Sequence, residues 1–481
     1  MISLKALKLP NMKTPLRVFL SLALTLTCVL GFAPAALAQK KVVIRGGASF
    51  EPKKISLDPL FEAGKLWTFT PDTLEAQFKG PTFKWLSDKK DRAQLRRERD
   101  YLKQTLWAFS ESQEAEEVLF TFKDAKLTEV ELNIWNKGDS ETASLTEPAF
   151  AAKVKQWATE LSSRVAPKFE NRGKDTASAA KAERLLWVGK DFLAQLEYSG
   201  GKERVLDPYT GREKTGPNFQ AEFLRLRLLP KPASLVGVNT TTGGQAQISR
   251  GDLAKKLQKD ANGDVFIPGI PMVDQGDKGY CAVATAARVL NYYGIPADQH
   301  EMAQVANTQA GGGTNPDEME TALHKLQGKY RVHLLQQIDT DYSSRTYQRF
   351  LTTYNRSAKK LGKRILDTNN YIYFMGGLDS EVLHDVRGKG PIFDKFMKVV
   401  KDNIDKGVPL LWGLTLGKYP ENGEPPKQSG GGHMRLIIGY NATKNEIIFS
   451  DSWGAGHEKK RMDASDASAA TTAIYTLTPS I

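Results

Sequence analysis

Cys281 is the residue whose type and position most favour nucleophilic chemistry. It follows Gly279 and Tyr280 and lies at the start of a predicted helix over residues 282–293, in which apolar residues recur at helical spacing until Gly294. Backbone N–H groups and the helix dipole at a helix N-terminus favour a thiolate over a thiol. The sequence therefore predicts a sulfur that is nucleophilic near neutral pH.

A thiolate nucleophile needs a base, and the base needs a third group that fixes its tautomer. His433 follows three consecutive glycines and opens an apolar stretch predicted to be a strand over residues 433–440. The next predicted strand, residues 446–450, ends at Asp451. A hairpin through residues 442–445 would lay the two strands side by side and bring the Asp451 carboxylate to the His433 imidazole.

The other histidines have no such neighbours, and we expect them to be structural or exposed. They are His300, His324, His333, His384 and His457. A metal site is not expected, because one cysteine and scattered histidines lack the spacing of metal ligands.

These residues together resemble the papain-like cysteine peptidase superfamily. Gln275, Cys281 and His433 occur in its order and are followed by Asp451-Ser452-Trp453-Gly454, where the superfamily pattern has Asn-Ser-Trp-Gly. Cys281 and His433 are 152 residues apart, and His433 and Asp451 are 18 apart. Aspartate in place of asparagine, and the run from Asp277 to Ala287, are similar to the bacterial branch of bacteriocin-processing peptidases.

The resemblance implies a role for each of these residues. Cys281 would be the nucleophile, His433 the acid and base, and Asp451 the group that orients the histidine. The Gln275 side chain and the Cys281 backbone N–H would form the oxyanion hole, and Trp453 would shield the contact between Asp451 and His433. The implied substrate is a peptide or protein, the implied reaction is hydrolysis, and no cofactor is implied.

Two other function classes stay open at this point. A transglutaminase-like acyl transferase or an amidase would use the same Cys-His-Asp triad. A papain fold without activity would use its cleft for binding. Gln275 and the Trp453-Gly454 pair favour the peptidase.

The surrounding elements predict the α+β class. Residues 263–481 show helical patterns first and strand patterns afterwards, as in a papain-like catalytic domain with a helical part and an antiparallel sheet. Residues 231–262 are predicted to be a linker, because their first part is rich in threonine, glycine, serine and proline.

Residues 39–230 are predicted to form a separate α+β domain. Strand patterns occur at residues 118–122, 127–136, 185–198 and 223–229, with a turn expected at Gly200-Gly201 and an amphipathic helix over residues 147–165. No catalytic constellation occurs there, and a pro-domain, a substrate-recruiting module and an envelope-binding module remain alternatives.

Residues 1–38 are predicted to be a secretory signal peptide. Four basic residues precede an apolar run of 15 residues, and Ala36-Leu37-Ala38 is a typical cleavage site before Gln39. The run is shorter than the ~20 residues that a membrane-spanning helix needs. Cys28 would leave with this segment, so Cys281 would be the one thiol of an exported protein in the periplasm or outside the cell.

Composition and charge exclude several classes. The chain has 481 residues, of which 40% are hydrophobic and 25% charged, which excludes wholesale disorder and a polytopic membrane protein. Four of the 67 lysines and arginines and none of the 55 acidic residues lie in residues 1–38, so the remainder carries a formal charge of +8. No basic stripe with interleaved aromatic residues indicates nucleic-acid binding, and the mild positive charge is compatible with attraction to anionic envelope polymers.

Overall fold

The computed structural model describes most of the chain after residue 52. The described residues are 53–98, 104–138, 145–174, 182–206, 213–232, 247–276, 279–308, 324, 327, 330–339, 345–367 and 375–480. The predicted signal peptide and Cys28 lie outside them. We call residues 53–232 the N-terminal region and residues 247–480 the C-terminal region; both belong to one compact unit, Pro52–Ile481.

The N-terminal region consists mainly of antiparallel strands. Its described strands are β1 (Lys53–Ser56), β2 (Phe83–Trp85), β3 (Arg92–Arg96), β4 (Gln104–Ala108), β5 (Gln113–Ala115), β6 (Glu117–Lys123), β7 (Lys126–Asn136), β8 (Glu170–Lys174), β9 (Glu183–Val188), β10 (Phe192–Leu206) and β11 (Glu213–Pro230). In the described chain they form an eight-stranded sheet in the order β2-β3-β6-β7-β11-β10-β9-β8 and a small sheet in the order β1-β4-β5.

The described α-helices of this region are α1 (Pro71–Phe78) and α2 (Glu147–Arg164). The side chain of Thr146 caps α2 by accepting a hydrogen bond from the backbone N–H of Ala149 at 3.4 Å. One face of α2 is buried, and the helix contacts β10 and β11. The residues of that face are Phe150, Val154, Trp157 and Leu161. The helix predicted over residues 147–165 is therefore confirmed.

The turn predicted at Gly200-Gly201 is wrong. Both glycines lie inside β10, where Gly200 pairs with Ala221 and Gly201 with Gln220. The strand register shifts between Ser199 and Gly200. A Cβ atom on Gly200 would lie 2.8 Å from Cζ of Phe219, so glycine here permits an irregular pairing against a close aromatic ring.

The C-terminal region combines an antiparallel sheet with helices. Its described strands are β12 (Gln258–Lys259), β13 (Asp264–Phe266), β14 (Val332–Asp339), β15 (Leu410–Leu416), β16 (Gly431–Asn441), β17 (Glu446–Ser450), β18 (Lys460–Asp463) and β19 (Thr471–Pro479). Its described helices are α3 (Cys281–Tyr292), α4 (Gln299–Ala306), α5 (Arg345–Lys360), α6 (Ser380–Arg387), α7 (Gly390–Ile404) and α8 (Ala464–Ala470). The main sheet has the order β12-β13-β16-β15-β19-β14, and β17 pairs with β16 and β18.

The predicted α+β class is confirmed, although strands also precede the helices. Strand β13 comes before α3 and pairs with β16. Within the segment predicted as a linker, residues Arg250–Lys256 form a 3-10 helix whose Leu253 is fully buried. The two regions have separate hydrophobic clusters. The boundaries predicted at residues 38, 230 and 262 stay predictions.

Helix α3 is the central helix of the C-terminal region. Almost all of its side chains after Cys281 are buried, and it packs against β16 and β19. Many of these side chains are alanines, which allow the helix to approach the sheet closely. No helix in the described part of the chain has both the length and the apolar character required to cross a membrane.

Candidate active site

Cys281 is the first residue of α3, as the sequence predicts within one residue. The helix N-terminus and three specific groups act on its sulfur. Burial raises the pKa of the thiol, but the neighbouring His433 side chain and the backbone N–H groups of Met434 and Ala282 lower it below its usual 9.0. The site therefore favours a thiolate at Cys281.

His433 lies between Cys281 and Asp451. Strands β16 and β17 form the predicted hairpin, with Leu436 opposite Ser450, so Asp451 emerges beside the start of β16. Nε2 of His433 is 3.0 Å from Oδ1 of Asp451, and both side chains are fully buried. Burial lowers the pKa of His433, but its hydrogen bond to Asp451 and the neighbouring Cys281 raise it above 6.5. Since Nε2 contacts the carboxylate, Nδ1 is the nitrogen left for the thiol.

Trp453 covers the histidine. Its ring stacks on the His433 imidazole with a centroid distance of 4.3 Å and an angle of 12° between the planes. Trp453 is itself buried. A stacked apolar ring keeps water away from one face of the imidazole, which strengthens the hydrogen bond of His433 to Asp451.

Asp451 belongs to a buried charge network that sequence reasoning missed. Nε of Arg435 donates to Oδ1 of Asp451 at 2.8 Å, and Nζ of Lys460 lies 3.6 Å from Oδ2. Glu421 pairs with the same two cations, at 3.1 Å from Arg435 and 2.9 Å from Lys460. Although burial raises the pKa of Asp451, Arg435 and His433 bring it well below its usual range. Asp451 is therefore ionised.

Arg435 had a signal in the sequence. It stands two residues after His433 on one strand, and alternate residues of a strand share a face. A buried aspartate carboxylate such as that of Asp451 requires a cation nearby, and Arg435 supplies one. Lys460 and Glu421 come from other segments and had no comparable signal.

Gln275 lies beside the segment that carries Asp451. Its backbone N–H donates to the carbonyl of Ser452 at 2.7 Å, and Asp274 forms an isolated β-bridge with Trp453. The Gln275 side chain is buried. The predicted oxyanion donor and the predicted triad thus share one part of the structure.

Arg288 is a second group that sequence reasoning missed. It is fully buried on α3, seven residues after Cys281 and so on a similar face of the helix. Its guanidinium donates to the carbonyls of Asp451 at 2.7 Å and Pro271 at 2.9 Å. Arg288 therefore connects helix α3, which carries Cys281, to the segments that contain Pro271 and Asp451.

The remaining histidines do not join this group. The ring of His457 packs edge-on against Trp453, with centroids 5.6 Å apart, and burial lowers the pKa of His457 to about 4. Its backbone carbonyl accepts a hydrogen bond from the N–H of Asp451 at 3.0 Å. His457 thus supports the segment through its backbone.

Among the described residues, His384, Asp463 and Asp466 bring possible metal ligand atoms within 4.8 Å of one another. The Asp463 carboxylate caps α8 by accepting from the N–H groups of Ser465 and Asp466. The group lies outside the candidate active site.

Comparisons with known proteins find a family match for the C-terminal region. Residues 267–477 match the model of the Peptidase_C39 like family. This part of the chain resembles a bacteriocin-processing cysteine peptidase. The resemblance inferred from the sequence is therefore confirmed for the C-terminal region, and the family indicates a cysteine peptidase.

A solved structure also matches part of the chain. The peptidase domain of Streptococcus ComA, a bi-functional ABC transporter involved in a quorum-sensing pathway, matches with 15% sequence identity and a TM-score of 0.23. The match covers 44% of this chain and 99% of the ComA domain. No curated protein matches the chain.

Proposed function

We propose that this protein is a cysteine peptidase that hydrolyses peptide bonds in peptide or protein substrates. The observation that carries the proposal is His433, which hydrogen-bonds Asp451 through Nε2 and lowers the pKa of Cys281 at the start of α3. This is the arrangement of nucleophile, base and orienting group that acyl transfer requires.

The proposed reaction has two halves. The Cys281 thiolate attacks the carbonyl carbon of the scissile peptide, forming a C–S bond and an oxyanion. The oxyanion collapses, the C–N bond breaks, and the His433 imidazolium gives its proton to the departing amine. Water then attacks the thioester while His433 accepts one of its protons, and the C–S bond breaks to release the acid and restore the thiolate.

Asp451, Gln275 and Trp453 support these steps in the proposal. Asp451 holds the imidazole in the tautomer that can accept a proton at Nδ1 and stabilises the imidazolium. The Gln275 amide and the Cys281 N–H donate to the oxyanion. Trp453 excludes water from the histidine.

Modification of Cys281 with iodoacetamide tests the thiolate. Because the pKa of Cys281 is lowered, its alkylation should continue at lower pH than that of an ordinary thiol, and it should slow as pH falls through the pKa of Cys281. In His433→Ala the fall in rate should move to higher pH, because the charge that lowers the thiol pKa is gone. Cys281→Ala is the blank. An identical pH profile in His433→Ala would contradict the proposed pair.

The product distinguishes the peptidase from its rivals. A peptidase transfers the acyl group to water, whereas a transglutaminase-like enzyme transfers it to an amine and forms a new amide. Incubating the protein with a fluorogenic peptide and a primary amine should give the free acid as the main product. A main product containing the amine would indicate an acyl transferase, and alkylation without any turnover would indicate a binding module.

Replacing Gln275 with alanine is expected to lower kcat by ~10- to 1000-fold with little change in KM. The oxyanion forms only as the tetrahedral intermediate is approached, so loss of its donor raises the barrier without weakening substrate binding. Alkylation of Cys281 forms no oxyanion and should keep its rate. Steady-state kinetics of a peptide substrate would check this, and turnover within about twofold of the unaltered protein would remove Gln275 from the mechanism.

We also propose that the protein is exported and that cleavage before Gln39 releases the mature form. The support is the charge and hydropathy pattern of residues 1–38. N-terminal sequencing of protein recovered outside the cytoplasm would give Gln39 as the first residue; recovery with residues 1–38 still attached would contradict cleavage.

A further inference from the structure

Asp274, immediately before Gln275, holds this part of the chain in place. Its Oδ1 accepts a hydrogen bond from the backbone N–H of Gly276 at 2.9 Å. Its carboxylate packs against Gly454, where φ is +80° and a Cβ atom would lie 3.2 Å from Oδ2 of Asp274. We call residues 274–276 the Asp274 turn. Its carboxylate fixes both the conformation of the turn and its contact with the segment after Asp451.

The Asp274 carboxylate is buried and needs positive partners. Nη1 of Arg96, at the end of β3 in the N-terminal region, lies 3.3 Å from Oδ2. Nζ of Lys427, on the segment before β16, is also 3.3 Å away. Burial raises the pKa of Asp274, but Arg96 and Lys427 bring it below its usual value. The carboxylate is therefore ionised, and one of its two cations comes from the other region of the chain.

A second set of contacts joins the N-terminal region to α4. The Arg204 guanidinium donates to the carbonyl of Gln304 and, at 3.4 Å, to that of Val305 at the end of the helix. Nη1 of Arg225 pairs with Asp298, at the start of α4, at 2.9 Å. Both ends of α4 are thus bound to the N-terminal sheet.

Helix α4 in turn connects the N-terminal sheet to the Asp274 turn. Nε2 of Gln299, its first residue, donates to the backbone carbonyl of Asp274 at 3.1 Å. The N-terminal region therefore holds Asp274 at two points: directly through Arg96 at the carboxylate, and through α4 at the backbone.

We propose that the N-terminal region is a permanent part of the catalytic unit, in which Arg96 is a positioning residue that holds the Asp274 turn, and with it Gln275, in place for oxyanion stabilisation. The proposal rests on the proposed peptidase function. A pro-domain is removed to release a finished site, whereas removal of this region would leave the buried Asp274 carboxylate with Lys427 and without Arg96.

Replacing Arg96 with methionine in the full chain tests this role. Methionine keeps the apolar stem and removes the charge, so the Asp274 turn should shift while the triad stays intact. We expect kcat for a peptide to fall ~10-fold, since small misplacements of a catalytic group are costly, with KM within about twofold. Alkylation of Cys281 by iodoacetamide should also stay within about twofold, because that reaction forms no oxyanion. Arg96→Lys should restore most of the lost kcat.

Two further variants distinguish positioning from general stability. Arg97→Met changes the next residue, which pairs with Glu114 at 3.2 Å and with Glu116 at 3.7 Å inside the N-terminal region, and should keep kcat within about twofold. In an Asp274→Asn background, Arg96→Met should change kcat by no more than about twofold, because the charge that Arg96 pairs with is already gone.

The outcomes separate the two proposals. Normal hydrolysis by Arg96→Met overturns the positioning role alone. Equal losses of hydrolysis and alkylation, or an equal loss in Arg97→Met, also overturn it, because they indicate general destabilisation. Absence of hydrolysis by the unaltered protein overturns the proposed function and the positioning role with it.

Discussion

Replacing Cys281 with serine, or His433 with alanine, is expected to lower peptide turnover by about 10⁴-fold or more while leaving the fold intact. A serine hydroxyl is not ionised at neutral pH, so it cannot replace the thiolate that the start of α3 and the His433 imidazole stabilise. Without His433 the thiolate loses its cation, and the departing amine loses its proton donor. Turnover of a fluorogenic peptide and the thermal unfolding midpoint measure the two effects.

His457→Gln provides the matched control for this experiment. The ring of His457 packs against Trp453, the residue that stacks on His433. His457 is also buried, but its side chain takes no part in the proposed mechanism. It should keep turnover within a few fold. Retained hydrolysis in Cys281→Ser or His433→Ala, at an unchanged unfolding midpoint, would remove the assignment of nucleophile and base.

The core of the candidate site was predictable because its signals are local. Cys281 begins a helix whose apolar spacing is visible in the sequence, and the hairpin between His433 and Asp451 is short. The structure places all three as those patterns indicate. Local patterns also predicted α2 and strands β6 and β7 of the N-terminal region.

The supporting groups were predictable only where they share an element with a triad member. Arg435 on β16 and Arg288 on α3 lie at spacings that place them near His433 and Cys281. Glu421 and Arg96 reach the site from segments whose position depends on long-range packing, so no local pattern in the sequence indicates them. Gly200-Gly201 was misassigned because the same glycines that favour a turn also permit an irregular strand.

Replacing Asp451 is expected to distinguish its two effects: it orients His433, and it balances the charges of the buried cations beside it. Asp451→Asn keeps an oxygen that accepts from Nε2 of His433 but removes the negative charge beside Arg435 and Lys460, both of which are buried. Breaking a buried ion pair commonly costs ~3 to 5 kcal/mol of unfolding free energy. We expect a loss of this size, with kcat within about tenfold of the unaltered protein. Urea unfolding and steady-state kinetics measure the two quantities.

Two comparison variants complete this test. Glu421→Gln removes the other carboxylate of the network, which contacts Arg435 and Lys460, and should lower stability while leaving kcat nearly unchanged. Asp451→Ala removes the acceptor as well as the charge, and should lose a further ~10- to 100-fold in kcat, the worth of a hydrogen bond to a charged group. If Asp451→Asn were as inactive as Asp451→Ala, the carboxylate charge itself would be required for catalysis. If Asp451→Asn unfolded like the unaltered protein, the buried cations would not depend on Asp451.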